Sequence, residues 1–349
     1  MTYIDKRKTY RILLIASIGV LFVLMVFSIT LGVANISFSE AIQIMLSKIP
    51  GIGRFFTPSQ EQTHNVIVLK IRLPRILLAS LIGIGLSVVG SSMQGMFKNP
   101  MADPGILGIS TGAALGATLA IVMGMQKLVW GIGIVTIAAF TGALLTTFLI
   151  YSIARVGNKI PTITLLLSGV VVSFLFSSMI TMLMVFNREQ IENIVLWTMG
   201  SIAAASWRQV WLLAPIVLTG AAIILTYARD LNLMATGDET AQSLGVEVEK
   251  AKKVLLVVSA VLVGACVSVS GIIGFVGLII PHMVRLLLGS DHRSVLPFSA
   301  VGGAIFMVIC DTLARNLVPP AEMPVGAITS LFGAPFFIYL LVKSKKKVI

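Results

Sequence analysis

The sequence predicts an all-α, polytopic membrane protein of about ten transmembrane helices. Three observations lead there. Only 11% of its 349 residues are charged, and mean hydropathy is +0.99; a soluble domain carries about 25% charged residues. The apolar residues fall in continuous runs long enough to cross a hydrocarbon core of roughly 30 Å. Glycine (31) and proline (13) are frequent, which suits membrane helices better than a β-barrel with its short alternating segments. This composition excludes disorder, a disulfide scaffold and an ordinary water-soluble enzyme.

The expected spans are 12–34, 66–97, 106–123, 129–151, 163–185, 210–227, 254–269, 276–288, 295–314 and 325–342. The first follows Lys6, Arg7, Lys8 and Arg11 and is too long for a cleaved secretory signal, so it is expected to stay as a helix. The apolar run Val254–Leu288 holds 35 residues. One helix of that length would measure about 50 Å, so the run is split in two. Ser270-Gly271, Gly274 and Gly277 mark the break, and Pro281 follows.

An even number of spans puts both termini on one side. With the N-terminus inside, Lys48, Arg54, Lys70, Arg72, Arg75, Lys127, Arg188, Arg208 and Arg315 fall outside, and the other 17 of the 26 basic residues fall inside. That bias predicts cytoplasmic N- and C-termini. It also accounts for the net charge of +12 without nucleic acid.

Ser87–Gly108 and Ser268–Gly289 align without a gap at an offset of 181 residues, sharing Gly90/Gly271, Pro100/Pro281 and Gly108/Gly289. Five spans separate the copies, so they run in opposite directions, as in inverted-repeat transporters. Asn99-Pro100 and Pro281 are hinge candidates, because proline removes a donor and fixes φ.

Polar residues among the spans are few. Asp311 lies near the outer end of the ninth span, one turn from Arg315, and a structural salt bridge is the simplest role for the pair. Arg72 and Arg75 open the second span on one helical face. They could anchor the interface by snorkelling or form an exposed cationic docking patch. The stretch 229–253 is the longest polar one, and Gly237-Asp238-Glu239-Thr240-Ala241-Gln242-Ser243-Leu244-Gly245 within it has the signature of a short capped helix. It suits a partner surface, the alternative being a plain linker.

No catalytic or metal-binding motif is present. The chain lacks a phosphate-cradling GxxxxGK[ST] loop and paired Cys ligands, and His64, His282 and His292 are scattered. Cys266 and Cys310 are expected to be small membrane hydrophobes. Active transport would therefore need ions or another subunit for its energy.

Taken together, several of these runs resemble the FecCD-type permeases of bacterial ABC importers for iron–siderophore, haem and vitamin B12. The resemblance rests on Arg72-Leu-Pro-Arg75, Gly95-Met-Phe-Lys-Asn-Pro100 with Ala102-Asp-Pro-Gly105, Gly237–Gly245, Gly271 through His282, Asp291-His-Arg293, Asp311 with Arg315, and Glu322-Met-Pro-Val-Gly326 leading to Gly333-Ala-Pro335. It implies a type II importer permease in the cytoplasmic membrane, paired with an identical or paralogous permease. Two ATPase subunits would bind the ATP, leaving this chain with no cofactor and no enzymatic site. A solute-binding protein would deliver cargo from outside. The resemblance further implies that Arg72, Arg75 and Arg315 dock that protein and that Gly237–Gly245 meets the ATPase. An iron–siderophore complex is the expected cargo, with haem and vitamin B12 as alternatives. An ion-coupled secondary transporter is the competing class, with Asp311 as its candidate acid.

Overall fold

The computed structural model describes residues 3–32, 34, 36–47, 62–125, 128–129, 132–157 and 159–345. Lys48, Arg54, Lys127, Lys346 and Lys347, all used in the charge tally, lie outside the described residues. Among the described residues, fifteen α-helices follow one another: α1 (Tyr3–Thr30), α2 (Phe38–Ser47), α3 (Gln62–Val66), α4 (Leu73–Met96), α5 (Ile109–Val122), α6 (Ile134–Ala154), α7 (Thr162–Phe186), α8 (Ile191–Thr198), α9 (Trp207–Thr226), α10 (Ala228–Ala235), α11 (Asp238–Ser243), α12 (Val248–Ser270), α13 (Val276–Leu288), α14 (His292–Asn316) and α15 (Val325–Lys345). The described strands form one small antiparallel hairpin, β1 (Leu128–Val129) with β2 (Ile132–Gly133).

Among the described residues, seven helical segments are long and apolar enough to cross a membrane, and α5, α13 and the start of α15 are shorter apolar helices. Helix α4 is the hub. Nearly all of its residues are buried, as expected of a helix that is apolar on every side. It packs on α14, α9, α13 and α12. Small residues permit the closest approaches: a Cβ at Gly83 would meet the Gly303 backbone, and one at Gly90 would meet the Gly277 carbonyl.

Helix α3 runs into α4 through a π-helical segment, Ile67–Arg72, in which the Leu73 N–H reaches Val68 O. Pro74 explains the wider turn. It has no N–H to give and its ring crowds the preceding turn, so the ladder shifts by one residue.

The Val254–Leu288 run divides at Gly271–Phe275, where Gly271 (φ +68°) and Phe275 (φ +69°) are left-handed. Irregular backbone at this depth must be satisfied by protein. Ser270 O accepts from Ser201 N at 2.7 Å, and a Cβ at Gly271 would strike Trp197 O. The turn after α8 therefore lies directly against the break.

The gap-free pairing of Ser87–Gly108 with Ser268–Gly289 does not join like local structure. Ser87–Met96 are helical, whereas their counterparts include the irregular 271–275 segment. Pro281 lies inside α13 and does not terminate it.

Candidate functional site: polar clusters at the two ends of α4

At the start of α4, three guanidinium groups are buried within the chain. Arg72 caps the end of α1, where carbonyls have no helical partner. Its Nη1 donates to Ile29 O at 2.6 Å and Thr30 O at 3.3 Å, and its Nη2 donates to Ala34 O at 2.9 Å. Gly32 makes room for it: φ is +150°, and a Cβ there would collide with the guanidinium. Arg75 donates through Nε to Asp311 Oδ1 at 2.9 Å and through Nη1 to both oxygens of Glu322 at 3.0 and 2.8 Å. Arg315 Nε lies 3.3 Å from Asp311 Oδ2. That is ion-pair distance without hydrogen-bond alignment, since both atoms lack a hydrogen-bond partner. Arg315 Nη2 donates to Ser28 Oγ at 2.8 Å.

The cluster thus joins α1, α4, α14 and the loop before α15. It corrects the expectation of an exposed cationic patch. Arg72, Arg75 and Arg315 are only 5%, 4% and 9% exposed, because the carbonyls at the end of α1, the Asp311 and Glu322 carboxylates and the Ser28 hydroxyl cover them. The exposed member is Glu322, with 41% of its side chain accessible.

At the far end of α4, about 35 Å away along the helix, lies the second cluster. Helix α11 sits on the surface, held by buried Ala241, while Glu239, Thr240, Gln242, Ser243 and Leu244 are exposed. Gly237 (φ +133°) precedes it and Gly245 (φ +86°) follows it. Gly245 N donates to Gln242 O and Val246 N to Ala241 O, each at 3.0 Å, forming a Schellman cap. The end of α4 carries the same motif. Lys98 N donates to Gly95 O and Asn99 N to Gln94 O, each at 3.2 Å. Here the left-handed position is Lys98, at φ +52°. A side chain in that conformation costs about 1 kcal/mol relative to glycine.

Lys98 reaches Asp238. Its Nζ lies 2.7 Å from Asp238 Oδ1, and Lys252 Nζ lies 2.5 Å from Oδ2. Lys252 also pairs with Glu249 Oε1 at 3.8 Å, and Glu249 Oε2 accepts from Ile160 N at 2.9 Å. Burial works to raise the Asp238 carboxyl; hydrogen bonds from Lys252 and Lys98 outweigh it and hold the group below the usual carboxylate range.

At this same end of α4, Gln94 meets α13. Pro281 has no N–H, so the carbonyl four residues earlier, Gly277 O, loses its helical donor. Gln94 Nε2 supplies the bond at 3.2 Å and also donates to Leu278 O at 3.1 Å. Its Oε1 accepts from Arg285 Nη1. Sequence reasoning missed Gln94, Lys98 and Lys252. The signal for Gln94 was an amide within an apolar helix, and for Lys98 a non-glycine residue at a helix stop.

The predicted hinge residues lie near these contacts. Asn99 and Pro100 are exposed just past α4, and Asn99 Oδ1 accepts from Met101 N at 2.9 Å. Among the described residues, no group of three or more His, Cys, Asp and Glu could hold a metal. A recess of about 440 Å³ between α5 and α6 is lined by residues such as Leu115, Leu119 and Leu145, without a charged group.

A sequence-family model described as the FecCD transport family matches residues 20–343. The cobalamin import system permease protein BtuC of Halobacterium salinarum is 46% identical over 286 residues, covering 80% of this chain and 74% of that protein. The hemin transport system permease protein HmuU of Yersinia pestis is 44% identical, covering 80% and 84%. The iron(3+)-hydroxamate import system permease protein FhuG of Bacillus subtilis is 35% identical, covering 97% and 99%. Among solved structures, a metal-chelate type ABC transporter in an inward-facing conformation matches with a TM-score of 0.81 and 31% identity, covering 95% of this chain and 99% of that one.

Proposed function

This chain belongs to the FecCD transport family and is the permease of an ABC importer, and from that premise we propose that its cargo is an iron–siderophore complex. The observation that carries the cargo is the near end-to-end match with the hydroxamate permease, 97% of this chain and 99% of that one. Haem or cobalamin is the second reading, favoured by the higher identities of 44% and 46%. The family implies ATPase subunits and a partner permease. Cargo passes between the two permeases without covalent chemistry.

Both termini lie in the cytoplasm, and the exposed face of α11 meets the ATPase. Three features support this: the inward bias of basic residues, the exposure of Glu239, Thr240, Gln242, Ser243 and Leu244, and anchoring through Ala241. The arginine end then faces outward and receives the solute-binding protein. Arg75 is covered there by Glu322, so it engages an acid of the binding protein by exchanging that partner.

Competitive uptake assays test the cargo. Proteoliposomes carrying the whole importer should accumulate a ferric hydroxamate in an ATP-dependent way. Accumulation of haem or cobalamin with no ferric hydroxamate uptake would replace the first reading with the second.

A further inference from the structure

We infer that Lys98 and Asp238 form a mechanical link that carries the movement of α11 into the central helix α4, making Lys98 a positioning residue for transport. The inference rests on the reading of α11 as the ATPase contact and goes beyond it by naming how the contact reaches the membrane core.

The cost of Lys98 is the first ground. It occupies the left-handed position of a Schellman cap, where Gly245 stands at the equivalent place after α11. Glycine would adopt that conformation without strain. A lysine there weakens the helix stop, so its side chain must contribute something glycine cannot.

Stability is a poor candidate for that contribution. The Lys98 and Asp238 side chains are 38% and 36% exposed, and ion pairs this open to solvent add little to folding. Position is the better one. Asp238 is the first residue of α11, and its two oxygens hold Lys98 beyond α4 and Lys252 on α12. Lys252 continues to Glu249, and Glu249 to the Ile160 amide just before α7. A displacement of α11 therefore pulls on α4, α12 and the α6–α7 connection at once. Helix α4 is the one most enclosed by the others, so a pull on its end is transmitted to the whole bundle.

The relationship differs from an ordinary surface pair in one testable way. Replacing Lys98 with glycine relieves the backbone while cutting the link. Transport should then fall although the fold is no less stable.

The whole importer would be purified with its ATPase subunits, reconstituted with its binding protein, and assayed with ferric hydroxamate as cargo, or with haem or cobalamin if one of those is what the wild type takes up. Lys98→Gly should show an unchanged or raised melting temperature, continued ATP hydrolysis, and at least a tenfold loss of uptake per ATP. Lys98→Arg, which keeps the charge and reach, should stay within about twofold of wild type. A cysteine replacing Ser243 should cross-link to the ATPase subunit in both backgrounds. Absence of that cross-link in wild type would overturn the contact assignment and the inference with it. Cross-linking retained in Lys98→Gly, with uptake per ATP within twofold of wild type, would overturn the inference alone.

Discussion

Gln94 donates its side-chain amide to Gly277 O, the carbonyl that Pro281 leaves without a helical donor. A buried acceptor on one helix is thus satisfied from another, and α4 is tied to α13 where Gly90 already brings the backbones together.

Replacing Gln94 with Leu should destabilise the protein by about 1–3 kcal/mol, because a buried carbonyl loses its donor and Arg285 its acceptor. Restoring the missing N–H with Pro281→Ala should soften that loss. Melting temperatures of the two single variants and the double variant form the check. Strictly additive changes would show that Gln94 does not compensate for the proline.

Gly90→Ala should cost about 1–3 kcal/mol, since its Cβ would meet Gly277 backbone, which has little freedom to move aside. Gly124→Ala is a fair contrast for space, because nothing lies within 4 Å of a Cβ there, although its φ of +67° adds some strain. Thermal unfolding in detergent should place Gly90→Ala well below Gly124→Ala.

Arg72 and Gly32 form one unit, the guanidinium sitting where a Cβ at position 32 would go. Arg72→Leu leaves the Ile29 and Ala34 carbonyls without their donor and should cost about 1–3 kcal/mol. Gly32→Ala should lower the melting temperature as well. The two losses should fall short of adding, because either change disrupts the same cap.

Glu322 competes for Arg75 with any docking acid. Glu322→Gln should therefore tighten binding of the solute-binding protein, by about three- to tenfold, and Arg75→Glu should weaken it. Surface-immobilised binding protein and detergent-purified importer would give both affinities. Weaker binding in Glu322→Gln would mean that the acid itself makes the contact.

The Asp238 carboxyl titrates below its ordinary value. Its contribution to stability is therefore complete above about pH 4 and is lost as pH falls through the folded-state pKa. The melting-temperature difference between wild type and Asp238→Asn should stay constant from pH 8 to pH 5 and shrink at more acidic pH. A difference that disappears between pH 7 and pH 6 would place the titration elsewhere.

Long apolar runs could be located from sequence because span length is set by the bilayer and leaves a continuous signature. The break at Gly271–Phe275 was legible from its glycines, and α11 from its flanking Gly237 and Gly245. The arginines were placed near a boundary but misjudged in exposure. The burial of Arg75 depends on Asp311 and Glu322, 236 and 247 residues away in the chain, and that of Arg315 on Ser28, 287 residues away. Gln94 stood out as an amide within an apolar helix, but its role did not, because its acceptor is 183 residues distant. Lys98 could have been noticed, since a lysine ends α4 where glycine is the favoured residue.

The most direct measurement is cargo accumulation by proteoliposomes containing this permease, its ATPase subunits and the binding protein. Uptake should require ATP, cease when the ATPase subunits are omitted, and survive ionophores that collapse every ion gradient. Uptake that persists without the ATPase subunits and follows an ion gradient would contradict the account.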